Sequence, residues 1–286
     1  MSTTETPLRY PGGKSQLALF VTDLLRENNL LNGIYAEPFA GGSGLALRLL
    51  LSGRVSEIWL NDIDPAIYGF WHSVLYATDD LCEMIDRVPV NMDEWRRQRE
   101  VLLSGKGDTL RLGFAALFLN RTNRSGILMA GVIGGKTQMG SYKIDCRFNK
   151  AGLIEKIRRI ANYREVVTLS KLDALLCIKN WAKALPARGL MNIDPPYFVK
   201  GQELYTNFYT PDNHRDLSKT IRRLKCNWML TYDDVPEVRV MYAGLPMYRK
   251  GLHYFAQVKR QANELLVVAP RLVAPASIAG QSLDAA

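Results

Sequence analysis

The stretch from Ile34 to Asp62 limits what this chain can fold into more than any other. Ile34 to Phe39 is an apolar run of strand length, Ala40-Gly41-Gly42-Ser43-Gly44 is a glycine turn, and Leu45 to Leu51 is an apolar helix. Glu57 to Leu60 is a second strand and ends on Asn61-Asp62. Strand, glycine turn, helix and strand make up half of a doubly wound α/β sheet. In that arrangement the glycines permit a tight turn and the close approach of a ligand, while an acid at the tip of the next strand accepts two ribose hydroxyls. Gly42 and Asp62 stand 20 residues apart, as the pattern requires.

The periodicity then changes. Ile67–Val88, Asp93–Leu103, Thr109–Leu119 and Lys150–Ala161 read as helices, which predicts an inserted, mainly helical lobe over residues 65–164. Asn120 to Phe148 contains Gly126, Gly131, Gly134, Gly135 and Gly140 among short β-prone pieces and predicts a β-hairpin with loose connections. Val166–Leu169, Gly189–Ile193, Asn227–Thr231 and Glu264–Ala269 return the chain to the sheet, with Asp212–Leu224 helical. The expected division is a discontinuous domain of residues 1–64 and 165–270, the inserted lobe 65–164, and a disordered tail 271–286.

Charge is informative once it is located. The formal excess of +9 falls entirely between Arg111 and Arg164, where 11 Lys or Arg face two acids, Asp145 and Glu155. A segment of that kind suits a polyanion, because each neutralised phosphate releases condensed counterions. Arg121, Arg124, Lys136, Lys143 and Arg147 alternate with Asn and Gln such as Asn123, a mixture fitted to phosphates and base edges.

Other chemistries find little support. The four cysteines, at 82, 146, 177 and 226, form no CxxC pair, and His72, His214 and His253 have no metal-ligand spacing, so neither a metal nor a disulfide framework is expected. No apolar run approaches the roughly 18 residues that cross a bilayer, and the first six residues are polar, so a cytosolic protein without a membrane partner is expected.

The chemistry centres on Asp194-Pro195-Pro196-Tyr197. An acid at the end of a buried strand is followed by two prolines, which stiffen the chain and remove two backbone donors, so acceptors dominate. An exocyclic amine has its lone pair delocalised into its ring. Acceptors that draw on its hydrogens favour a tetrahedral nitrogen able to attack a methyl sulfonium. The Asp194 carboxylate and the Pro195 carbonyl supply two such acceptors, and Tyr197 offers a ring on which a base swung out of the duplex can stack.

With these motifs assembled, the chain resembles the Dam-type DNA adenine methyltransferases over nearly its whole length. Leu8-Arg9-Tyr10-Pro11-Gly12-Gly13-Lys14, Glu37-Pro38-Phe39-Ala40-Gly41-Gly42-Ser43-Gly44, Asn61-Asp62-Ile63-Asp64, Asn120-Arg121-Thr122-Asn123-Arg124-Ser125-Gly126 and Asp194 to Tyr197 are similar to that family's motifs. The resemblance implies a Rossmann-like doubly wound methyltransferase sheet, S-adenosyl-L-methionine as cofactor, and double-stranded DNA as partner. It also implies cofactor contacts from Tyr10, Lys14, the segment Glu37 to Ser43, Asp62, Ile63 and Asp194. Lys14 suits the methionine carboxylate, and the glycine loop would cradle methionine rather than a pyrophosphate. Asp173 has two accounts, a carboxylate near the cofactor's adenine or a helix N-cap.

Competing readings are separable. Gly12-Gly13-Lys14-Ser15 lacks the glycine that a phosphate-binding GxxxxGK[ST] loop needs at position 8, where Leu8 stands. Cytosine C5 transfer needs a cysteine nucleophile after a proline, and no cysteine here has that setting. A glutamine-methylating enzyme would more naturally carry Asn at position 194. N4 of cytosine and a catalytically silent DNA-binding regulator remain as alternatives.

Overall fold

The computed structural model describes residues 4–9, 17–199, 208–255, 259–279 and 283. In chain order the elements are α1 (Ala18–Glu27), β1 (Ile34–Glu37), α2 (Gly44–Leu51), β2 (Glu57–Asn61), α3 (Pro65–Tyr76) and α4 (Thr78–Arg87). They continue with α5 (Met92–Ser104), α6 (Thr109–Thr122), α7 (Lys150–Ala161), β3 (Val167–Ser170), α8 (Ala174–Ala184) and β4 (Leu190–Ile193). The last are α9 (Pro211–Ile221), β5 (Trp228–Asp233), α10 (Pro236–Tyr242), β6 (Met247–Phe255), β7 (Lys259–Val268) and α11 (Ala276–Ala279).

Seven strands form one sheet in the order β3-β2-β1-β4-β5-β7-β6, so the fold is mixed α/β. β1 runs parallel to β2 and β4, β4 runs parallel to β5, and β7 lies antiparallel to β5 and β6. Strand order reverses beside β1, and ligands of such sheets collect at the strands' carboxyl ends there. Buried on both faces, β4 and β5 read as near-continuous apolar runs, Leu-Met-Asn-Ile and Trp-Met-Leu-Thr-Tyr-Asp. Asn192 and Thr231 are the polar interruptions within them.

The described residues divide into two compact units. One comprises 4–9, 41–44 and 62–171, and the other 17–40, 45–61 and 172–283. In the first, α3 and α6 cross at two glycines, because a Cβ on Gly113 would lie 2.4 Å from the Gly69 carbonyl and one on Gly69 would lie 2.7 Å from the Thr109 carbonyl. That close crossing fills the unit's interior with Phe70, Trp71, Phe114 and Phe118, all nearly inaccessible to solvent. In the second unit, α1 buries Phe20, Val21, Leu24 and Leu25 at helical spacing.

Several expectations need correction. The run 67–88 is two helices, α3 and α4, broken at Ala77 (φ −137°, ψ 42°). β1 stops at Glu37 rather than Phe39, since Pro38 cannot donate to the ladder. The hairpin expected between Asn120 and Phe148 reduces to one antiparallel bridge, Asn123 to Val132. Gly134, Gly135 and Gln138 take positive φ (84°, 76° and 54°) and turn the chain before a ladder can extend. In the tail expected to be disordered, Leu272 is buried, Ala276–Ala279 is helical, and the Leu283 N–H donates to the Met247 carbonyl.

Candidate active site

Side chains alternate across a strand, and the register places Tyr35 and Glu37 of β1, Asn192 of β4, Asp194 just beyond it, and Thr231 and Asp233 of β5 on one face. Polar groups thus collect at the carboxyl ends of three neighbouring strands. The Thr231 hydroxyl donates to the Asp194 carboxylate at 2.5 Å and fixes its orientation. Pro195 and Pro196 are buried, and Asp194 and Tyr197 are half-buried. The Tyr197 hydroxyl donates to Glu264 of β7 at 2.5 Å, which ties the ring to the sheet. Asp233 accepts from the Phe198 and Val199 N–H groups at 2.9 and 3.1 Å, holding the chain that leaves the proline pair. Burial raises the Asp233 pKa; these two N–H groups oppose the rise and Glu264 adds to it.

Beneath this loop lies an aromatic bed. His214 packs on Phe198 at 4.9 Å and Tyr209 at 5.5 Å, and bonds to the Tyr232 hydroxyl. Burial pushes its pKa down to about 4, so the imidazole is neutral near pH 7. Phe39 meets Tyr209 edge-on at 5.7 Å.

Glu37 is the most perturbed carboxyl here. Burial, followed by the proximity of Asp194, drives its pKa up to about 8, while Tyr35, Asn192 and the Ala46 N–H at the start of α2 offset part of the rise. Asn61 locks the two strand tips. Its amide nitrogen donates to the Pro38 and Leu172 carbonyls at 3.0 Å each, and its oxygen accepts the Leu172 N–H at 2.8 Å. Asp173 caps α8 by accepting the Leu175 and Leu176 N–H groups.

In the other unit the glycine loop and the acid after β2 are joined directly. Asp62 accepts the Gly41 N–H at 2.9 Å with one oxygen and the Asp64 N–H at 3.0 Å with the other. Gly41 and Ser43 adopt left-handed φ (46° and 45°), and the buried Trp71 indole donates to the Gly41 carbonyl at 2.9 Å. Burial, then Asp64, raises the Asp62 pKa to about 7, and the two N–H groups resist the rise. Ile63 is exposed beside it. Tyr10 and Lys14 lie outside the described residues.

The basic segment behaves unevenly. Arg124, Lys136 and Lys143 are exposed. Arg124 lies over Gly131, where a Cβ would come within 2.7 Å of its guanidinium, and Lys143 donates to the Gln138 carbonyl at 2.7 Å. Arg121 is half-buried and donates from Nε to the Arg147 carbonyl. Asn123 corrects an expectation, because it is fully buried, accepts from the Trp95 indole at 2.7 Å and donates to the Ile127 and Leu128 carbonyls. With both ends of its amide engaged, it organises the turn. A polar residue in a basic loop gave no sequence signal of that burial. The supporting residues Asn192 and Thr231 were also not singled out, although a polar residue inside an apolar strand is the signal that marks them.

Among the described residues, no group of three or more His, Cys, Asp or Glu is placed to hold a metal, and no helix is long and apolar enough to cross a membrane. Cys82 and Cys177 are buried, Cys226 is partly so, and Cys146 is exposed.

A family model described as D12 class N6 adenine-specific DNA methyltransferase matches residues 10–255. No curated protein matches the chain significantly. Similar solved structures include an S-adenosylmethionine-dependent methyltransferase from Agrobacterium tumefaciens (TM-score 0.42, 8% identity, 91% of this chain and 63% of that one). Another is the DUF519-family protein LPL1258 from Legionella pneumophila (TM-score 0.32, 11% identity, 91% of this chain and 86% of that one). The chain thus spans 63% of the length of the first of these proteins.

Proposed function

Because the chain belongs to the D12 class N6 adenine-specific DNA methyltransferase family, we propose that it transfers a methyl group from S-adenosyl-L-methionine to N6 of adenine in duplex DNA. The observation that carries this reading is the acceptor set after β4. Asp194 is oriented by Thr231, beside a carbonyl that belongs to a buried, proline-stiffened turn. Such a set has little to offer a substrate that must accept hydrogen bonds and suits one that donates them, which an exocyclic amine does.

The residues fit the cofactor by their chemistry. The Asp62 carboxylate, which accepts one N–H on each oxygen, retains lone pairs for two ribose hydroxyls, the exposed Ile63 offers an apolar face to an adenine, and the left-handed Gly41 and Ser43 turn backbone toward a ligand. We assign Glu37, Pro38, Phe39, Ala40 and Gly42 to the same loop, and Tyr10 and Lys14 to the methionine end. When bound, the cofactor supplies an electrophilic methyl on a sulfonium.

The protein's own residues do the positioning. Residues 65–164 serve as the target-recognition lobe, where Arg121, Arg124, Lys136 and Lys143 meet DNA, and the target adenine leaves the stack to reach Asp194. Tyr197, its hydroxyl fixed by Glu264, stacks on the extruded ring. Asp194 and the Pro195 carbonyl accept the two amine hydrogens and hold the nitrogen for in-line attack, with no covalent enzyme intermediate. Acting on DNA, the protein belongs with it in the cytoplasm.

Asp194→Ala is expected to lower methyl transfer by roughly 10²–10³-fold or more, while DNA binding stays close to wild type. Sequencing modified bases in DNA from cells that express the chain should find N6-methyladenine. N4-methylcytosine, or intact turnover by Asp194→Ala, would overturn the assignment.

A further inference from the structure

Three arginines of the unit containing residues 62–171 converge from three parts of the chain. Arg9 comes from the N-terminal segment, Arg121 from the last turn of α6, and Arg147 from the segment before α7. Their backbones are fixed. Asn120 accepts the Arg9 N–H at 2.7 Å and donates to the Arg9 carbonyl at 2.9 Å and the Gly126 carbonyl at 2.8 Å. Gly126, at φ 76°, presses against the Arg9 carbonyl so closely that a Cβ there would lie 1.9 Å from it. Arg121 Nε donates to the Arg147 carbonyl at 2.8 Å, which leaves the two terminal nitrogens of its guanidinium for another partner.

Among the described residues none of the three forms an ion pair, and Arg9 Nη1 is buried without a hydrogen-bond partner. Arg121 is pushed down to about 10 by burial and then by its neighbours Arg9 and Arg147. Arg9 is lowered by burial and then by Arg147, opposed only by the thiol of Cys146. Folding has therefore placed like charges together, partly out of water, at a cost that no acidic group of the lobe offsets. A site organised in this way is complete only with an anion. Guanidinium forks match the oxygens of a phosphate in particular.

We propose that Arg9, Arg121 and Arg147 together form a seat for a backbone phosphate of the DNA substrate, prearranged by Asn120 and Gly126. The proposal rests on the reading that the substrate is duplex DNA and adds Arg9 and Arg147 to its contacts. It predicts a contact that fixes the duplex on the lobe without reading sequence.

Duplex binding measured by fluorescence anisotropy across a salt series tests it, with wild type, Arg9→Gln and Arg147→Gln. Each variant is expected to bind several-fold to tenfold more weakly at low salt, and to lower the slope of log K against log salt by about 0.9, on unrelated sequences alike. Arg9→Lys should recover part of the slope. In the absence of DNA, both Gln variants should melt no lower than wild type, and sulfate should raise the melting temperature of wild type more than theirs. An unchanged slope, or a loss confined to one DNA sequence as for an arginine reading guanine, would overturn the seat and leave the methyltransferase assignment standing. A wild-type protein that neither binds nor methylates duplex DNA would overturn both.

Discussion

At the scale of single residues, Glu37 and Asn123 show how burial redefines a side chain. Glu37 carries its carboxyl into a site it shares with Asp194, and burial raises its pKa from 4.5 to about 8. A folded protein that retains a proton which the unfolded chain releases near 4.5 has this stabilisation in full below that pH, and loses it as pH rises through about 8. Wild-type melting temperature should therefore decline from pH 5 to pH 8.5 in the absence of ligand, and Glu37→Gln should flatten the decline by several degrees. An unaltered pH profile in the Glu37→Gln variant would show that the carboxyl is ionised throughout. Asn123 stands in a run of Asn, Arg and Thr that reads as a DNA-contacting segment, yet it lies 0% exposed with three hydrogen bonds inside the lobe. Residue type and neighbourhood were legible, but direction was not. The indole of Trp95 that claims Asn123 lies 28 residues away in sequence.

At the scale of elements, periodicity located α6 and α7 well because their apolar stripes are long and each starts at a capping residue, Asp108 and Asn149. Short elements were harder. α3 and α4 merge into one pattern because Ala77 carries no breaker, and β6 has no apolar alternation strong enough to announce it before β7 is known. Glycine had two meanings that the sequence did not separate, a turn former at Gly134 and Gly135 and a helix contact at Gly69 and Gly113. The second meaning is testable. Gly113→Ala puts a methyl 2.4 Å from the α3 backbone, which a flexible side chain cannot relieve, so α3 and α6 must separate. The expected cost is about 1–3 kcal/mol, read as a lower urea midpoint at unchanged m-value. An undiminished midpoint would show that the crossing yields freely.

At the scale of the whole molecule, cofactor binding and folding are linked, because a ligand held only by the native state adds RT ln(1 + [L]/Kd). At about 100 times Kd this is roughly 2.7 kcal/mol, equivalent to a rise of about 5–10 °C in melting temperature for a chain of this size. If Asp62 takes the proposed ribose contact, the rise should grow with pH, since burial raises its pKa to about 7 and the ionised carboxylate is the form that accepts from both hydroxyls. Asp62→Ala should abolish the rise, and a pH-independent shift would rule out that role for the carboxylate. The sequence by itself determined the α/β class, the glycine loop with its acid 20 residues on, the acceptor loop after β4 and the basic lobe, because each is written in contiguous residues through local sterics, hydrophobic period or charge. Tertiary structure alone decided that Thr231 orients Asp194, that Glu264 holds Tyr197, that Asn123 turns inward, and that Arg9 joins Arg121 and Arg147. Those pairings join residues 26 to 138 positions apart. Only the packing of strands and helices brings them within the few ångströms over which hydrogen bonds and charge repulsion act.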